Sequence, residues 1–131
     1  MKKQPKKTSI NNKDLKKIAN LMLDKKAINV TLIDVSRLTT LTDYFLICTS
    51  DSDPQTRAIY NHIKDSLIEQ GIKPWKTEGY EYLNWVVMDY INFVIHIFDK
   101  KQGHIMILKN YGAMQKLQSL MINERINNNS Y

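Results

Sequence analysis

An acidic cluster directly follows an apolar segment in the first half of the chain. Residues 44–48 have the apolar, β-rich composition of a strand, and Ser50-Asp51-Ser52-Asp53 follows them. A serine and two aspartates at the end of a strand are typical of nucleotidyltransferases, in which the carboxylates hold Mg²⁺ against triphosphate oxygens. Asp51 and Asp53 are therefore candidate metal ligands, and Asp89 is the candidate third carboxylate, because two carboxylates alone hold a divalent cation loosely.

The same tetrapeptide also has a structural interpretation. Ser52 or Asp53 can cap the helix that follows, and Pro54 suits its first turn, where the missing N–H is not needed. The sequence has no glycine-rich phosphate cradle before these acids, and no Walker loop, dinucleotide fingerprint or nucleophile elbow. We therefore expect no enzymatic activity, no cofactor and no bound metal, with the Mg²⁺-dependent nucleotidyltransferase as the alternative hypothesis.

The spacing of the histidines and the cysteine does not indicate a metal site or a catalytic site. None of the three histidines has the HxH or HxxxH spacing of a metal site. His96 alternates with Val94 and Phe98 along a predicted strand, which favours a buried, hydrogen-bonded structural histidine. Cys48 is the only cysteine and ends an apolar run, so the chain cannot form an internal disulfide, and we expect the thiol to lie in the core.

One predicted strand carries a possible docking surface. Trp85, Val87 and Asp89 alternate along it and therefore point to the same face of a sheet. An aromatic, an aliphatic and an acidic side chain in a row can bind a partner. Alternatively, Trp85 packs under a helix and Asp89 ends the strand before a turn. The residue types alone leave both interpretations open.

The positive charge of the chain is concentrated at its N-terminus. The net charge is +6, and residues 1–17 contain seven lysines against one acid, which leaves 12 basic and 12 acidic residues in the remaining chain. This lysine-rich run either contacts RNA through its phosphates or acts as a solubilising extension. The sequence contains neither a membrane-spanning apolar run nor a secretory signal, so we expect a soluble, cytoplasmic protein.

Two helices and a set of strands must position the candidate residues. The first helix is predicted to begin at Asn11 or Asn12 and to end near residues 25–26. Its buried face has the i, i+3, i+4, i+7 spacing and consists of Leu15, Ile18, Ala19 and Met22. The second helix is predicted to have Pro54 in its first turn and to end before Gly71, which we expect in the left-handed conformation.

Five strands are predicted, over residues 29–35, 44–48, 73–77, 85–90 and 93–98. The third contains Pro74, which favours an edge position. Only Ile91 and Asn92 separate the last two, which is a hairpin spacing. Asn92 tolerates a left-handed backbone and Ile91 does so poorly, so the turn type stays open.

A last helix is predicted over residues 105–123. The order of elements then predicts an α/β (α+β) fold in one domain over residues 14–123, with a mixed sheet of about five strands flanked by helices on at least one face. Residues 1–13 are expected to be a flexible lysine-rich tail, and residues 124–131 a frayed C-terminal tail.

Five short strings occur along the chain in a characteristic order. They are LTDYFLICT (residues 41–49), RAI (57–59), EG (78–79), WVVMDY (85–90) and VIHIF (94–98). In this order they resemble the bacterial ribosomal silencing factor family, also called the Iojap family, over roughly residues 15–108. The resemblance implies an α/β fold distantly related to nucleotidyltransferases, without known enzymatic activity. It also implies a protein that binds large-subunit ribosomal protein fourteen, blocks joining of the small subunit and silences translation, especially in starvation.

The resemblance also assigns individual residues. The E-G, W, D and H-I-F positions of the family fall on Glu78, Gly79, Trp85, Asp89 and His96. Of these, Glu78, Gly79, Trp85 and Asp89 are implied to bind the partner, because an aromatic anchor beside acids suits a basic ribosomal protein. His96 keeps its structural interpretation. The resemblance further implies a homodimer when the protein is free.

The chain departs from the family pattern at three places. Ser50 stands where the family often has glycine, and Ile91-Asn92 stands where it often has Gly-Asp. In residues 106–112 the tryptophan and an acid of the family's last helix are missing. The last helix is therefore the least typical part of the resemblance.

Overall fold

The structure is a computed structural model that describes residues 11–38 and 40–101. The elements are α1 (Asn12–Asp24), β1 (Ile28–Asp34), β2 (Tyr44–Ser50), α2 (Asp53–Glu69), β3 (Lys76–Glu78), β4 (Trp85–Asp89) and β5 (Phe93–Asp99). This is the predicted order through the fifth strand, and the helix predicted over residues 105–123 lies outside the described residues. Residues 12 and 13, which the sequence analysis included in the tail, belong to α1.

Helix α1 is formed by local signals that the sequence carries. Asn11 caps it, since its Oδ1 accepts from the backbone N–H of Asp14 at 3.0 Å, while a carboxylate oxygen of Asp14 accepts from the N–H of Asn11 at 3.4 Å. This reciprocal pair is a capping box. The buried residues of α1 are the predicted ones, Leu15, Ile18, Ala19 and Met22. The predicted cap and buried face are confirmed.

Helix α2 resolves the choice between two caps. Ser52 is the N-cap, with its hydroxyl accepting from the N–H of Gln55 at 3.2 Å, and Pro54 lies in the first turn. Asp53 is the first helical residue, where a negative charge suits the helix dipole. The helix is followed by Gly71 at a φ of +77°, the left-handed conformation that was predicted for it.

The strands form one mixed sheet in the order β1-β2-β5-β4-β3. Strands β2 and β5 pair in parallel, and the other neighbours pair antiparallel. The mixed sheet of five strands is thereby confirmed, and β3 lies at an edge as predicted. The third strand begins at Lys76 rather than at residue 73, after Pro74, which has no N–H to donate to a neighbouring strand.

The two faces of the sheet have different cores. Both helices pack on one face, here called the helical face, and share a cluster with apolar residues of β2, β4 and β5. The opposite face, here called the second face, has a smaller cluster without any residue of α1 or α2, formed by Ile33, Val35, Phe45, Ile47, Val94 and Phe98. Strands β2 and β5 are buried on both faces, whereas β4 alternates between buried and partly exposed residues. Partly exposed side chains of β4 therefore belong to the second face.

The β4–β5 turn settles the conformation that the sequence left open. Ile91 takes the positive φ, at 75°, although a β-branched residue is strained there. The N–H of Asn92 bonds to the carbonyl of Tyr90 at 2.9 Å, which makes a three-residue turn around Ile91. The carbonyl of Asn92 accepts from the N–H groups of Asp43 and Tyr44, at 3.0 and 3.2 Å. These bonds tie the turn to the start of β2.

Among the described residues, neither helix combines the length and the apolar composition that crossing a bilayer requires.

Candidate partner-binding site

The structure brings three of the implied binding residues to one surface. Trp85, Val87 and Asp89 alternate along β4, and Glu78 of β3 is the cross-strand partner of Val87. Cross-strand partners point to the same face, so the side chains of Glu78, Trp85 and Asp89 share the second face. We call these three residues and Val87 the β3–β4 surface. Trp85, Val87 and Asp89 are partly buried, and Glu78 is exposed.

The indole of Trp85 lies flat on side chains of the neighbouring strand. It stacks on Phe98, with 5.6 Å between ring centroids and 11° between planes, and on His96 at 5.9 Å and 22°. Its N–H donates to Nδ1 of His96 at 3.0 Å. The ring is thus neither under α1 or α2 nor fully exposed. One side packs on β5, and part of the ring remains accessible.

His96 and Cys48 both lie inside the sheet, on different faces. His96 is fully buried on the second face, where its ring meets Phe45 edge-on at 4.8 Å between centroids. Cys48 is fully buried in the cluster under the helices. Burial raises the pKa of the Cys48 thiol, since the thiolate would be unsolvated there.

Gly79 contributes its backbone rather than a side-chain contact. Its φ is +85°, and a Cβ added there would collide with the carbonyl oxygen of Trp85. The loop after β3 therefore passes against the first residue of β4 at a distance that only glycine permits. Sequence reasoning placed Gly79 in the site without this reason, because the close approach joins residues that are six positions apart.

Asp89 is partly buried and bonds to the turn between β4 and β5. One carboxylate oxygen accepts from the N–H of Ile91 at 2.9 Å and so supports the strained turn. Burial raises the pKa of Asp89, and nearby Glu78 adds to this, whereas the Ile91 N–H and Lys76 lower it. The net effect is a raised pKa, because the ionised carboxylate is partly desolvated.

We expect Asp89→Asn to stabilise the free protein at neutral pH. The amide keeps the oxygen that accepts from Ile91 but never ionises. The pKa of Asp89 is higher in the folded protein than in the unfolded chain, where it is about 4. The wild type therefore loses stability as the pH rises from the unfolded pKa through the folded one. The gain from Asp89→Asn should therefore be present at pH 7 and absent below pH ~4. Urea denaturation at both pH values measures it.

The control is Asp65→Asn on the exposed side of α2. An equal gain in this variant, or a gain for Asp89→Asn that is the same at both pH values, would contradict the burial argument.

The acids proposed as metal ligands do not converge. Asp51 is exposed, with Oδ1 3.9 Å from Nζ of Lys100, and Asp53 is exposed in the first turn of α2. Asp89 is the cross-strand partner of Val94, whereas Ser50 is the partner of Asp99. Val94 and Asp99 are five steps apart along β5, which is roughly 16 Å at about 3.3 Å per step. Asp89 therefore lies far from the end of β2 that Asp51 follows. The expectation that Asp89 serves as the third carboxylate is therefore wrong.

Within residues 11–38 and 40–101, no group of three or more His, Cys, Asp or Glu residues is arranged to hold a metal ion.

Sequence reasoning missed one exposed aromatic residue in the loop that leads into β4. Tyr82 lies in the loop that enters β4 and is 78% exposed, more than any other large hydrophobic residue described. The N–H groups of Tyr82 and Leu83 both bond to the carbonyl of Gly79, at 3.2 and 2.9 Å. The loop is thus ordered although the tyrosine ring is in solvent. Its position three residues before Trp85 was the available signal.

A family model and two sequence relatives carry matching descriptions. A family model described as "Ribosomal silencing factor during starvation" matches residues 7–109. The Ribosomal silencing factor RsfS of Bacillus subtilis is 36% identical over 109 residues, covering 82% of this chain and 87% of the relative. The protein of that name from Halalkalibacterium halodurans is 36% identical over 94 residues, covering 71% of this chain and 80% of the relative.

Solved structures show the same fold. A crystal structure of a Chromobacterium violaceum protein matches with a TM-score of 0.69 and 27% identity, over 79% of this chain and 88% of that one. A crystal structure of a Bacillus halodurans protein matches with a TM-score of 0.63 and 34% identity, over 83% and 94%. Since the family model spans most of the chain, and the chain covers 87% and 80% of the two relatives at 36% identity, the protein belongs to the ribosomal silencing factor family.

Proposed function

We propose that this protein silences translation by binding ribosomal protein fourteen of the large subunit and so blocking association with the small subunit. The main supporting observation is the β3–β4 surface, on which a partly accessible tryptophan shares one sheet face with Glu78 and Asp89. In this proposal the protein acts by binding and not by catalysis. It works in the cytoplasm, with ribosomes.

The chemistry of the β3–β4 surface suits a basic protein partner. Trp85 supplies a large, pre-oriented apolar contact, the residue type most enriched among binding hot spots. Glu78 and Asp89 supply negative charge that complements lysines and arginines. Nζ of Lys76 lies 3.6 Å from Glu78, but both side chains are more than half exposed. Such a surface pair is weak, so Glu78 can exchange Lys76 for a cation of the partner.

Steric exclusion needs no further activity. A folded domain of about 100 residues has a radius of gyration of about 13 Å, so it is roughly 30 Å across. A body of this size, bound where the two subunits meet, keeps their surfaces apart. Subunit joining then fails without any conformational change in the ribosome.

Two further contacts belong to the proposal. The lysines of residues 1–17 would add non-specific, salt-sensitive attraction to ribosomal RNA near the docking site. The free protein would form a homodimer, which sedimentation of the pure protein measures.

The proposal is tested with purified components. Immobilised protein should retain ribosomal protein fourteen, and adding it to separated subunits before raising Mg²⁺ should reduce the joined ribosomes in a sucrose gradient in proportion to dose. Unchanged joining at saturating protein would overturn the proposal. Calorimetric binding of Mg²⁺ with a nucleoside triphosphate that is lost in Asp51→Ala would support the nucleotidyltransferase instead.

Tyr82 offers a binding test that is separate from folding. We expect Tyr82→Ala to weaken docking about fivefold, because an exposed aromatic ring in the loop that enters β4 would lose its contact with the partner. Its melting temperature should stay near the wild-type value, since the ring is 78% exposed. Binding to large subunits by co-sedimentation and a thermal melt measure both effects. Ile68→Ala, which removes a 39% exposed side chain from α2, is the control and should bind normally.

A further inference from the structure

The indole–imidazole bond between β4 and β5 defines the protonation of His96. An indole N–H is only a donor, so the Nδ1 atom that receives it at 3.0 Å carries no proton. His96 is therefore the neutral tautomer with its proton on Nε2. The imidazole is fully buried and the bond is partly buried, so the acceptor lies inside the sheet.

The imidazole is itself immobilised. It meets Phe45 edge-on at 4.8 Å and lies nearly parallel to Phe98, at 6.2 Å and 11°. Trp85 is only partly buried at the start of β4, with part of its ring facing solvent. A partly exposed tryptophan without a directional bond can turn about its side-chain torsions. Stacking on Phe98 restricts the tilt of the ring, and the acceptor on β5 adds a directional bond.

We propose that His96 is the positioning residue of the docking site, holding the indole of Trp85 flat on β5 so that one fixed part of its ring is presented to the partner. This inference rests on the proposed function. A phenylalanine at this position would keep an aromatic ring against Phe45 and Phe98, but it could not accept the indole N–H. The gain is pre-organisation, because a ring that is already oriented loses less freedom when the partner binds.

Two variants of His96 separate the acceptor from the ring. His96→Phe keeps an aromatic ring and removes the acceptor. His96→Asn removes the ring but keeps an acceptor oxygen at the atom position of Nδ1. Both are made in a Trp75→Phe protein, which leaves Trp85 as the single tryptophan. The indole N–H resonance in a ¹⁵N-labelled sample then reports Trp85 alone.

We expect the Trp85 indole N–H of the parent to exchange slowly with solvent. His96→Phe should make it exchange fast and weaken binding to ribosomal protein fourteen about tenfold, the equivalent of one hydrogen bond. His96→Asn should retain slow exchange and most of the affinity, even if it melts at a lower temperature. In a Trp85→Phe background, His96→Phe should have no further effect on binding.

The outcomes distinguish this inference from the proposed function. Slow exchange that persists in His96→Phe, or fast exchange with undiminished binding, would overturn the positioning role of His96 and leave the proposed function standing. If the parent does not bind ribosomal protein fourteen, the proposed function fails, while the exchange comparison still decides whether His96 orients Trp85. If His96→Phe does not fold, His96→Leu removes the acceptor in its place.

Discussion

Replacing Trp85 by alanine is expected to weaken binding to the large subunit about thirtyfold. A tryptophan anchor at a hot spot contributes about 2 kcal/mol or more, and every 1.4 kcal/mol is a tenfold change in affinity. The substitution also removes the stacking on Phe98, so we expect the free energy of unfolding to fall by about 1–3 kcal/mol, less than for a fully buried tryptophan. The domain should remain folded. Titration with large subunits and a thermal melt measure the two effects.

Two companion variants make this result interpretable. Trp85→Phe keeps a ring stacked on Phe98 and should recover most of the stability but only part of the binding. Asp89→Lys places a cation opposite a basic partner and should weaken docking in a salt-dependent way. A collapsed melting temperature for Trp85→Ala, together with Asp89→Lys blocking subunit joining at wild-type strength, would mean that this tryptophan serves packing only.

Gly79→Ala is expected to cause the largest loss of stability among the site variants. A left-handed backbone costs an alanine about 1–2 kcal/mol, and the new Cβ would meet the backbone carbonyl of Trp85, which cannot move aside as a flexible side chain can. Displacing packed groups adds about 1–3 kcal/mol. We expect the free energy of unfolding to fall by about 2–5 kcal/mol and docking to weaken with it, because the start of β4 must shift. Urea denaturation measures the first effect.

Gly71→Ala is a matched control that measures the cost of the left-handed backbone alone. Gly71 has a similar φ of +77°, but nothing lies within 4 Å of an added Cβ. It should cost only about 1–2 kcal/mol. Equal losses in the two alanine variants would show that the contact with Trp85 does not matter.

Much of the fold could be predicted because its signals are local. The cap at Asn11, the apolar spacing of α1, the cap and proline of α2 and the left-handed Gly71 each involve residues within a few positions of one another. Such bonds form between neighbours along the chain, so residue types and spacing determine them. The alternation of Trp85, Val87 and Asp89 along β4 is also a local signal of this kind.

The tertiary structure decided which distant residues meet. Asp89 was the candidate third carboxylate beside Asp51 and Asp53, but the β2–β5 and β4–β5 registers place Asp89 and Asp51 at opposite ends of the strands. Spacing along the chain likewise did not reveal that the indole of Trp85 bonds to His96, or that Gly79 touches the backbone of Trp85. Strand order and register depend on burying both faces of β2 and β5 at once. That is a property of the whole sheet, and short segments of sequence do not carry it.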